Sequence, residues 1–407
     1  MSVSRPSRIE FITLMAALMS MVALSIDAML PAIGLIGQDL AVENPNDVQL
    51  IISSVFLGMA FGLIVYGPIS DSFGRKNAIY LGVSIFLVGC LISIFAQDFD
   101  QMLLGRILQG FGAAACRVVT IAMMRDKYAG KEMAKIMSLI MMVFIMVPAL
   151  APSMGQLILL FADWHGIFVL LFSVALLSTI WLYLRLDETL AEDKRAPFSL
   201  SNIKLGMIET IKHPEARTYT LGAGIMFGAF VGYLSSSQQI LQVQFGTGEL
   251  FSVYFGALAL AIGFSSFANS KLVMRFSMES LCIAALLVVL STSLIYLGYS
   301  QLNPNAGLTS FMLYMLSTFF CFGILFGNFN SLAVHPLGHI AGVATSVIST
   351  VQTFISVFVG TYVGQHYDGT VTPLIFGFIA CSSVTLTLVL WLRYSQKKAL
   401  QQAPSAN

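Results

Sequence analysis

The chain has 407 residues, of which 57% are hydrophobic and only 10% are charged, and its formal net charge is +1. Soluble globular proteins carry about 25% charged residues, so this composition excludes that class and predicts that lipid surrounds most of the chain. The near-zero net charge gives no indication of the basic surface that nucleic-acid binding requires. Five cysteines stand singly in apolar stretches, a pattern typical of small buried residues rather than of disulfides or metal ligands.

Twelve apolar runs follow one another along the chain. A bilayer core about 30 Å thick needs roughly 20 apolar residues for each spanning helix, and each run is long enough. The runs cover residues 11–36, 49–68, 78–96, 101–124, 134–160, 165–186, 218–242, 250–269, 280–299, 309–334, 341–365 and 372–393. We therefore predict an all-α membrane protein with twelve transmembrane helices in two six-helix bundles.

One long polar connection divides the runs six and six. This pattern predicts an N-terminal bundle at 1–186, a cytoplasmic linker at 187–217, and a C-terminal bundle with a short tail at 218–407. Within the linker, residues 200–212 favour a helix lying at the membrane surface. Two six-helix halves around a cavity at the membrane midplane are typical of secondary transporters.

The basic residues fall on one side of this arrangement. When the connections are numbered from an inside N-terminus, all but two of the 21 lysines and arginines lie at the inner ends of the runs. The two exceptions, Arg106 and Arg117, lie within the fourth run. The positive-inside rule then places both termini in the cytoplasm.

Three charges lie well inside predicted helices: Asp27, Arg106 and Arg117. Each costs about 2.5–3.5 kcal/mol at a helix centre on insertion scales, so we infer that they serve a proton and substrate site. The alternative is a static structural ion pair.

Depth along the helices suggests how these charges are arranged. At about 1.5 Å per residue, Asp27 and Arg106 lie at similar depth in the outer half of the membrane, and Arg117 lies three turns deeper on the same helix face. We predict that Asp27 and Arg106 are neighbours in proton coupling and that Arg117 is a separate cation of the substrate cavity. Asp27, the single embedded acid, would alternate between a proton and a substrate.

Four further polar residues are candidates to line the cavity. Tyr233 and Gln238 lie near the outer end of the seventh run, and Asn328 lies toward the inner end of the tenth. Gln352 belongs to a polar stripe on the eleventh run that faces either the cavity or a neighbouring helix. The sequence has no phosphate-binding loop and no nucleophile–base constellation, so we expect neither an ATP-driven pump nor an enzyme, and no cofactor or metal site.

The stretch GPISDSFGRK resembles motif A of the major facilitator superfamily, G-x-L-a-D-r-x-G-r-K, although Ser72 stands where that family has a base. The matching residues are Gly67, Asp71, Gly74, Arg75 and Lys76. The resemblance implies a gate in which Asp71 and Arg75 latch the two halves together on the cytoplasmic side in the outward-open state. Asp126, at the inner end of the fourth run, is the predicted third member of that ion-pair network.

Three other stretches resemble elements of the same family. Residues 25–34 resemble the Asp-x-x-x-Pro element of the first helix. Residues 105–126 resemble motif B through Arg106, Gln109 and Gly110. Residues 147–156 resemble the antiporter motif of the fifth helix through Pro148, Pro152 and Gly155, and depart from it where Ala151 and Gln156 replace glycines.

Together these stretches resemble the bicyclomycin/chloramphenicol-resistance (Bcr/CflA) group of twelve-helix drug:H⁺ antiporters. That resemblance implies the major facilitator fold and multidrug efflux, in which a monomer in a bacterial-type inner membrane exports small amphiphilic compounds by alternating access, driven by protons. The first alternative is a dedicated exporter or importer of one metabolite, such as a siderophore or an amino-acid derivative, on the same fold. A membrane sensor that transports nothing is the second.

Overall fold

The protein is almost entirely helical. The computed structural model describes residues 7–195, 200–303 and 306–402, and these residues contain no β-strand. Their helices are α1 Arg8–Asp27, α2 Ile33–Asp39, α3 Leu50–Phe73, α4 Arg75–Ile94, α5 Phe99–Lys127, α6 Gly130–Leu159, α7 His165–Arg185, α8 Leu200–Lys212, α9 Pro214–Gln238, α10 Phe251–Leu272, α11 Met278–Leu302, α12 Leu308–Val334, α13 Ala341–Gln365 and α14 Thr372–Gln402. The first predicted membrane helix corresponds to α1 and α2 together, the next five to α3–α7, and the last six to α9–α14.

Ten segments of the described residues are long and apolar enough to cross a membrane by themselves, and two features raise that number to twelve. One of the ten, Leu308–Gln365, contains both α12 and α13, which meet at the turn His335–Ile340, where Leu337 leaves the helical conformation. Helix α9 is absent from the ten because polar residues dilute its apolar sequence, although Ser235 and other polar side chains on it are buried. The predicted twelve-helix fold is confirmed.

The first membrane helix is interrupted directly after Asp27. Helix α1 ends at Asp27, and a short 3-10 turn, Leu30–Ala32, leads into α2. Pro31 within this turn has no amide hydrogen, so it cannot continue the hydrogen-bond ladder of α1. The carboxylate of Asp27 therefore lies at a helix end inside the protein.

Glycines bring α3 and α5 into backbone contact. A Cβ atom at Gly110 would lie 1.9 Å from the carbonyl oxygen of Val55, and one at Gly58 would lie 1.9 Å from that of Ile107. Small residues of this kind allow membrane helices to pack closely. Because α5 carries both Arg106 and Arg117, this contact fixes the two arginines relative to α3.

The main contacts between the N-terminal half (α1–α7) and the C-terminal half (α9–α14) come from two helix pairs. In the pair α3–α13, the rings of Phe61 and Phe354 lie 5.0 Å apart between centroids. In the pair α6–α10, a Cβ atom at Gly256 would lie 2.9 Å from the carbonyl oxygen of Ala149. We call the end of the molecule that carries the α3–α4 turn the inner end, and the opposite end the outer end.

The linker contains the predicted helix, and that helix contacts the C-terminal half. Helix α8 packs on α13, where a Cβ atom at Gly206 would lie 2.5 Å from the Val343 side chain. Glu209 on α8 lies 3.0 Å from the Nε2 atom of His339. The side chain of Leu205 is 57% exposed, as suits a helix at the membrane surface, and that location stays a prediction.

Candidate functional site

A cavity of about 330 Å³ lies between the two halves. This volume falls in the range of sites that bind drug-sized molecules. Its lining residues are Val22, Ala23, Ile26, Asp27, Phe56, Met59, Arg117, Phe144, Pro148, Ala223, Phe227, Phe230, Leu234, Phe255, Ala259, Ile262, Phe319, Phe326, Asn330, Ser349, Gln352 and Thr353. The cavity walls are therefore mainly apolar and aromatic, with a few polar groups.

Asp27 is the one acid among these lining residues. The residue is only 5% exposed. Within the described parts of the chain, no hydrogen bond or ion pair involves its carboxylate. A buried charged group without a partner is costly, so this position favours binding of a proton or of a substrate group.

Arg117 is the one basic residue among the lining residues. No hydrogen bond or ion pair of its guanidinium occurs within the described residues. Arg117 and Asp27 are therefore too far apart to form an ion pair with each other. The cavity holds one acidic and one basic side chain, and both are free to contact a ligand.

Arg106 has a different environment from the predicted one. It is fully buried, and its guanidinium donates to the Gln109 Oε1 atom at 2.6 Å, to the Ser25 carbonyl at 2.5 Å and to the Ile51 carbonyl at 3.3 Å. It forms no ion pair with Asp27, although Ser25 lies only two residues before that acid. Arg106 therefore links α5 to the end of α1 and the start of α3, and holds the backbone that carries Asp27.

Replacing Arg106 by glutamine should lower the free energy of unfolding by about 2–4 kcal/mol, because buried acceptors left unsatisfied cost about 1–3 kcal/mol each. Denaturant titration of the detergent-solubilised protein measures this loss. The matched control is Arg125→Gln, which changes an exposed residue of the same helix. Equal stability of the two variants would show that the Arg106 contacts contribute little.

Of the four other polar candidates, only Gln352 lines the cavity. The buried Nε2 atom of Gln352 has no hydrogen-bond partner. Tyr233 lies behind the lining, where its ring stacks on Phe255 and meets Phe319 edge-on. Gln238 lies against Gly34 near the outer end, where a Cβ atom of the glycine would be 3.0 Å from the Gln238 Nε2 atom.

The remaining candidate, Asn328, lies outside this cavity. Its side-chain amide exchanges two hydrogen bonds with that of Asn269, at 3.0 and 3.2 Å. The pair joins α12 to α10 within the C-terminal half. A neighbouring amide on α12, Asn330, lines the cavity instead and is exposed. The cavity thus extends toward the inner end.

Neutral amide hydrogen bonds close the outer end between the two halves. Asn46 donates to the carbonyls of Gln365 at 3.0 Å and Tyr367 at 2.8 Å, and Gln365 donates back to the Asn46 carbonyl at 2.9 Å. Gln49 donates to Gln239 at 2.5 Å, and Gln239 donates to the Pro45 carbonyl at 2.9 Å. We call this set of contacts the outer seal.

Hydroxyl groups extend the outer seal on both sides of these amides. The Thr361 and Ser53 hydroxyl oxygens lie 2.9 Å apart, joining α13 to α3. The Tyr367 hydroxyl donates to the Gln239 carbonyl at 3.3 Å. Burial raises the pKa of the Tyr367 phenol above its usual value, so the hydroxyl stays a neutral donor. The outer end is therefore closed, and the cavity extends toward the inner end at the exposed Asn330.

An ion-pair network is present at the inner end, as the sequence predicts. The Arg75 guanidinium pairs with Asp71 and lies 2.8 Å from the Asp126 Oδ2 atom, and it also donates to the Ser70 hydroxyl at 2.9 Å. These contacts join α3, α4 and α5 inside the N-terminal half. The network's role as a gate stays a prediction.

Glu188, at the start of the linker, completes this inner network and was not predicted. Its carboxylate accepts hydrogen bonds from the backbone amides of Arg75 and Lys76, each at 3.0 Å. A carboxylate at a helix N-terminus satisfies free amides and interacts favourably with the helix dipole. Gly74 permits this contact, because it has a φ of 97° and a Cβ atom there would lie 2.7 Å from the Glu188 Oε2 atom.

The variant Gly74→Ala should lower the free energy of unfolding by about 3 kcal/mol, since it adds backbone strain and displaces Glu188. The control is Gly130→Ala. Gly130 has a φ of 55°, and no atom lies within 4 Å of a Cβ added there, so this substitution should lower the free energy of unfolding by about 1 kcal/mol. Denaturant titration of both variants measures the difference. If the two losses were the same, the Glu188 contact would have no energetic weight.

The antiporter-motif residues on α6 contact the cavity and the break in the first membrane helix. Pro148 lines the cavity. Gly155 packs within its own half, where a Cβ atom would lie 2.0 Å from the Ala28 carbonyl and 3.2 Å from Pro31. The third motif residue, Pro152, lies within α6 between them. Helix α6 therefore packs directly on the turn that follows Asp27.

The family model "Major Facilitator Superfamily" matches residues 12–361 of this chain. The chain belongs to the major facilitator superfamily. It is accordingly a multi-pass membrane transporter that acts on small molecules, and not an enzyme.

Two curated relatives within this superfamily carry resistance names. The bicyclomycin resistance protein homolog of Haemophilus influenzae is 27% identical over 398 residues, covering 94% of this chain and 96% of the relative. The multidrug resistance protein MdtL of Shigella dysenteriae is 28% identical over 390 residues, covering 94% and 95%. Among solved structures, the xylose transporter XylE of E. coli, in a partially occluded inward-open conformation, has a TM-score of 0.72 at 13% identity, covering 95% of this chain and 98% of XylE. The XylE likeness concerns the fold alone.

Proposed function

We propose that this transporter exports small amphiphilic compounds in exchange for protons. The observation that carries the proposal is the unpartnered, buried carboxylate of Asp27 in the wall of the cavity. A proton and a substrate group can each satisfy this carboxylate, and they exclude each other. Such competition at one group is sufficient for exchange. The resistance names of the relatives support an amphiphilic drug as the substrate.

Alternating access would take place between the outer seal and the inner end. The seal consists of neutral hydrogen bonds, each with a net contribution of only about 0.5–1.5 kcal/mol, and water can replace them when the halves separate. The Arg75 network lies within the N-terminal half and the start of the linker. In the outward-open state it would be available to latch the two halves together at the inner end.

The proposal includes a location. The distribution of basic residues supports both termini in the cytoplasm. The bacterial relatives support a bacterial-type inner membrane. The protein would act as a monomer, and the proton gradient would replace any cofactor. Movement of one bundle of six helices against the other around the central cavity is the form of alternating access that such a fold supports.

Proton release from acidified everted membrane vesicles tests the proposal. Chloramphenicol and bicyclomycin are added in turn, and a pH-sensitive dye reports protons leaving the vesicles. Vesicles containing the transporter should release protons on addition, and vesicles from cells without it should not. Equal signals from the two preparations would contradict proton-coupled drug export.

A dedicated carrier of one charged metabolite is the second candidate. It is favoured by Arg117, because a cavity cation is suited to an anionic group and unsuited to cationic drugs. Absence of proton release with the antibiotics, followed by release with an amino-acid derivative or a siderophore, would favour this second function.

A further inference from the structure

The charged groups of the cavity and most of its phenylalanines come from different halves of the protein. Asp27 and Arg117, the two charged lining residues, both belong to the N-terminal half. Five of the seven lining phenylalanines belong to the C-terminal half, on α9, α10 and α12: Phe227, Phe230, Phe255, Phe319 and Phe326. A ligand that satisfies both walls has its charged groups toward one half and its aromatic or apolar body toward the other.

The two charged residues also restrict the charges on that ligand. Neither Asp27 nor Arg117 has a partner within the described residues, and they do not pair with each other. A monocation bound at Asp27 would leave Arg117 unsatisfied, and a monoanion bound at Arg117 would leave Asp27 unsatisfied. In a cavity with apolar walls, each unpaired charge is costly.

We propose, resting on the export function proposed above, that the preferred substrates are zwitterionic amphiphiles whose cation and anion are separated by an apolar body. The cation binds Asp27, the anion binds Arg117, and the apolar body lies against the phenylalanines of the C-terminal half. Gln352 also lines this space, and its buried Nε2 atom, which has no partner among the described residues, would donate a hydrogen bond to the substrate once the side chain rotates.

The test uses four probes with one apolar body. The zwitterion is a biphenyl with an aminomethyl group on one ring and an acetate group on the other. Its methyl ester keeps only the cation, its acetamide keeps only the anion, and the doubly blocked compound is neutral. Equilibrium dialysis against the purified full chain gives the affinity of each. The wild type should bind the zwitterion at least about tenfold more tightly than either singly blocked probe.

Two variants should divide this preference between the two charges. Arg117→Gln should bring the zwitterion and the ester to similar affinity and keep the zwitterion's advantage over the acetamide. Asp27→Asn should bring the zwitterion and the acetamide to similar affinity and keep the zwitterion's advantage over the ester. Arg125→Gln, an exposed change on the same helix as Arg117, should keep both ratios. Because the neutral probe lacks both charges, its affinity should stay constant and confirm an intact cavity.

A wild type that binds all four probes equally, or binds none, would overturn the zwitterion proposal whatever the variants do. Variants that lose affinity for every probe by the same factor would overturn it as well. These failures differ from failure of the export proposal, which is measured by proton release with the antibiotics. Proton release without zwitterion preference would leave proton-coupled export in place and remove only the substrate class.

Discussion

Replacing Asp27 by asparagine is expected to abolish proton-driven accumulation of substrate in everted vesicles, whereas substrate counterflow should persist at saturating substrate concentration. Asparagine has nearly the same size and keeps hydrogen-bonding capacity, but it does not exchange a proton at neutral pH. Asp27 is the one acid among the described residues that line the cavity, so no other carboxylate of that lining can carry the proton in its place.

The counterflow measurement separates loss of coupling from loss of folding. Labelled substrate outside should exchange with unlabelled substrate inside in vesicles that contain the Asp27→Asn variant. The change between the two access states of the substrate-bound transporter needs no proton. The matched control is Asp100→Asn, which changes an exposed acid at the outer end of α5 and should retain full accumulation. Accumulation by Asp27→Asn at the wild-type rate would place proton coupling at another group.

A disulfide across the outer seal is expected to stop transport, and reduction is expected to restore it. The Ser53 and Thr361 hydroxyl oxygens lie 2.9 Å apart on facing helices, so cysteines at both positions need little movement to form a bond of about 2.05 Å. Release of substrate at the outer face requires these helices to separate there. We expect transport to fall to less than about a tenth after oxidation and to recover with dithiothreitol.

Single-cysteine variants at each position are the controls for this experiment. Oxidant should not change their activity, because the five native cysteines are buried. Mass spectrometry of the linked peptides confirms that the bond has formed. Full transport by the fully cross-linked protein would show that the outer seal does not open during the cycle.

The sequence predicted the helices well because the bilayer imposes their length and apolar character. Eleven of the twelve predicted helices correspond to one described α-helix each, α9 included, despite its polar residues. The first run, residues 11–36, differs because Pro31 ends the ladder and separates α1 from α2. A proline inside an apolar run was the available signal for this break.

The site was predicted less completely, because contacts between distant segments leave little trace in one sequence. Asp27, Arg117 and Gln352 line the cavity, whereas Tyr233 and Asn328 pack behind it or within the C-terminal half. Helical periodicity identifies a polar face, but it does not distinguish the cavity from a neighbouring helix.

Arg106 shows the limit of the depth argument. The rise per residue along the helices places Arg106 at the depth of Asp27, and the contact of Arg106 with Ser25 agrees with that depth. However, the side chain is directed at backbone carbonyls, because the end of α1 leaves carbonyl groups without helical partners. The outer seal and Glu188 were missed for a related reason: amides in loops and a single acid in a charged linker have no distinguishing spacing.

Proton release on substrate binding tests most directly the claim that Asp27 alternates between a proton and a substrate. The purified transporter is mixed in unbuffered solution with the compound that gave proton release in vesicles, and the pH change is compared with the amount of compound bound. We predict about one proton released per bound molecule for the wild type and none for Asp27→Asn, because one acid lines the described cavity. No release from the wild type, or equal release from both proteins, would contradict the account.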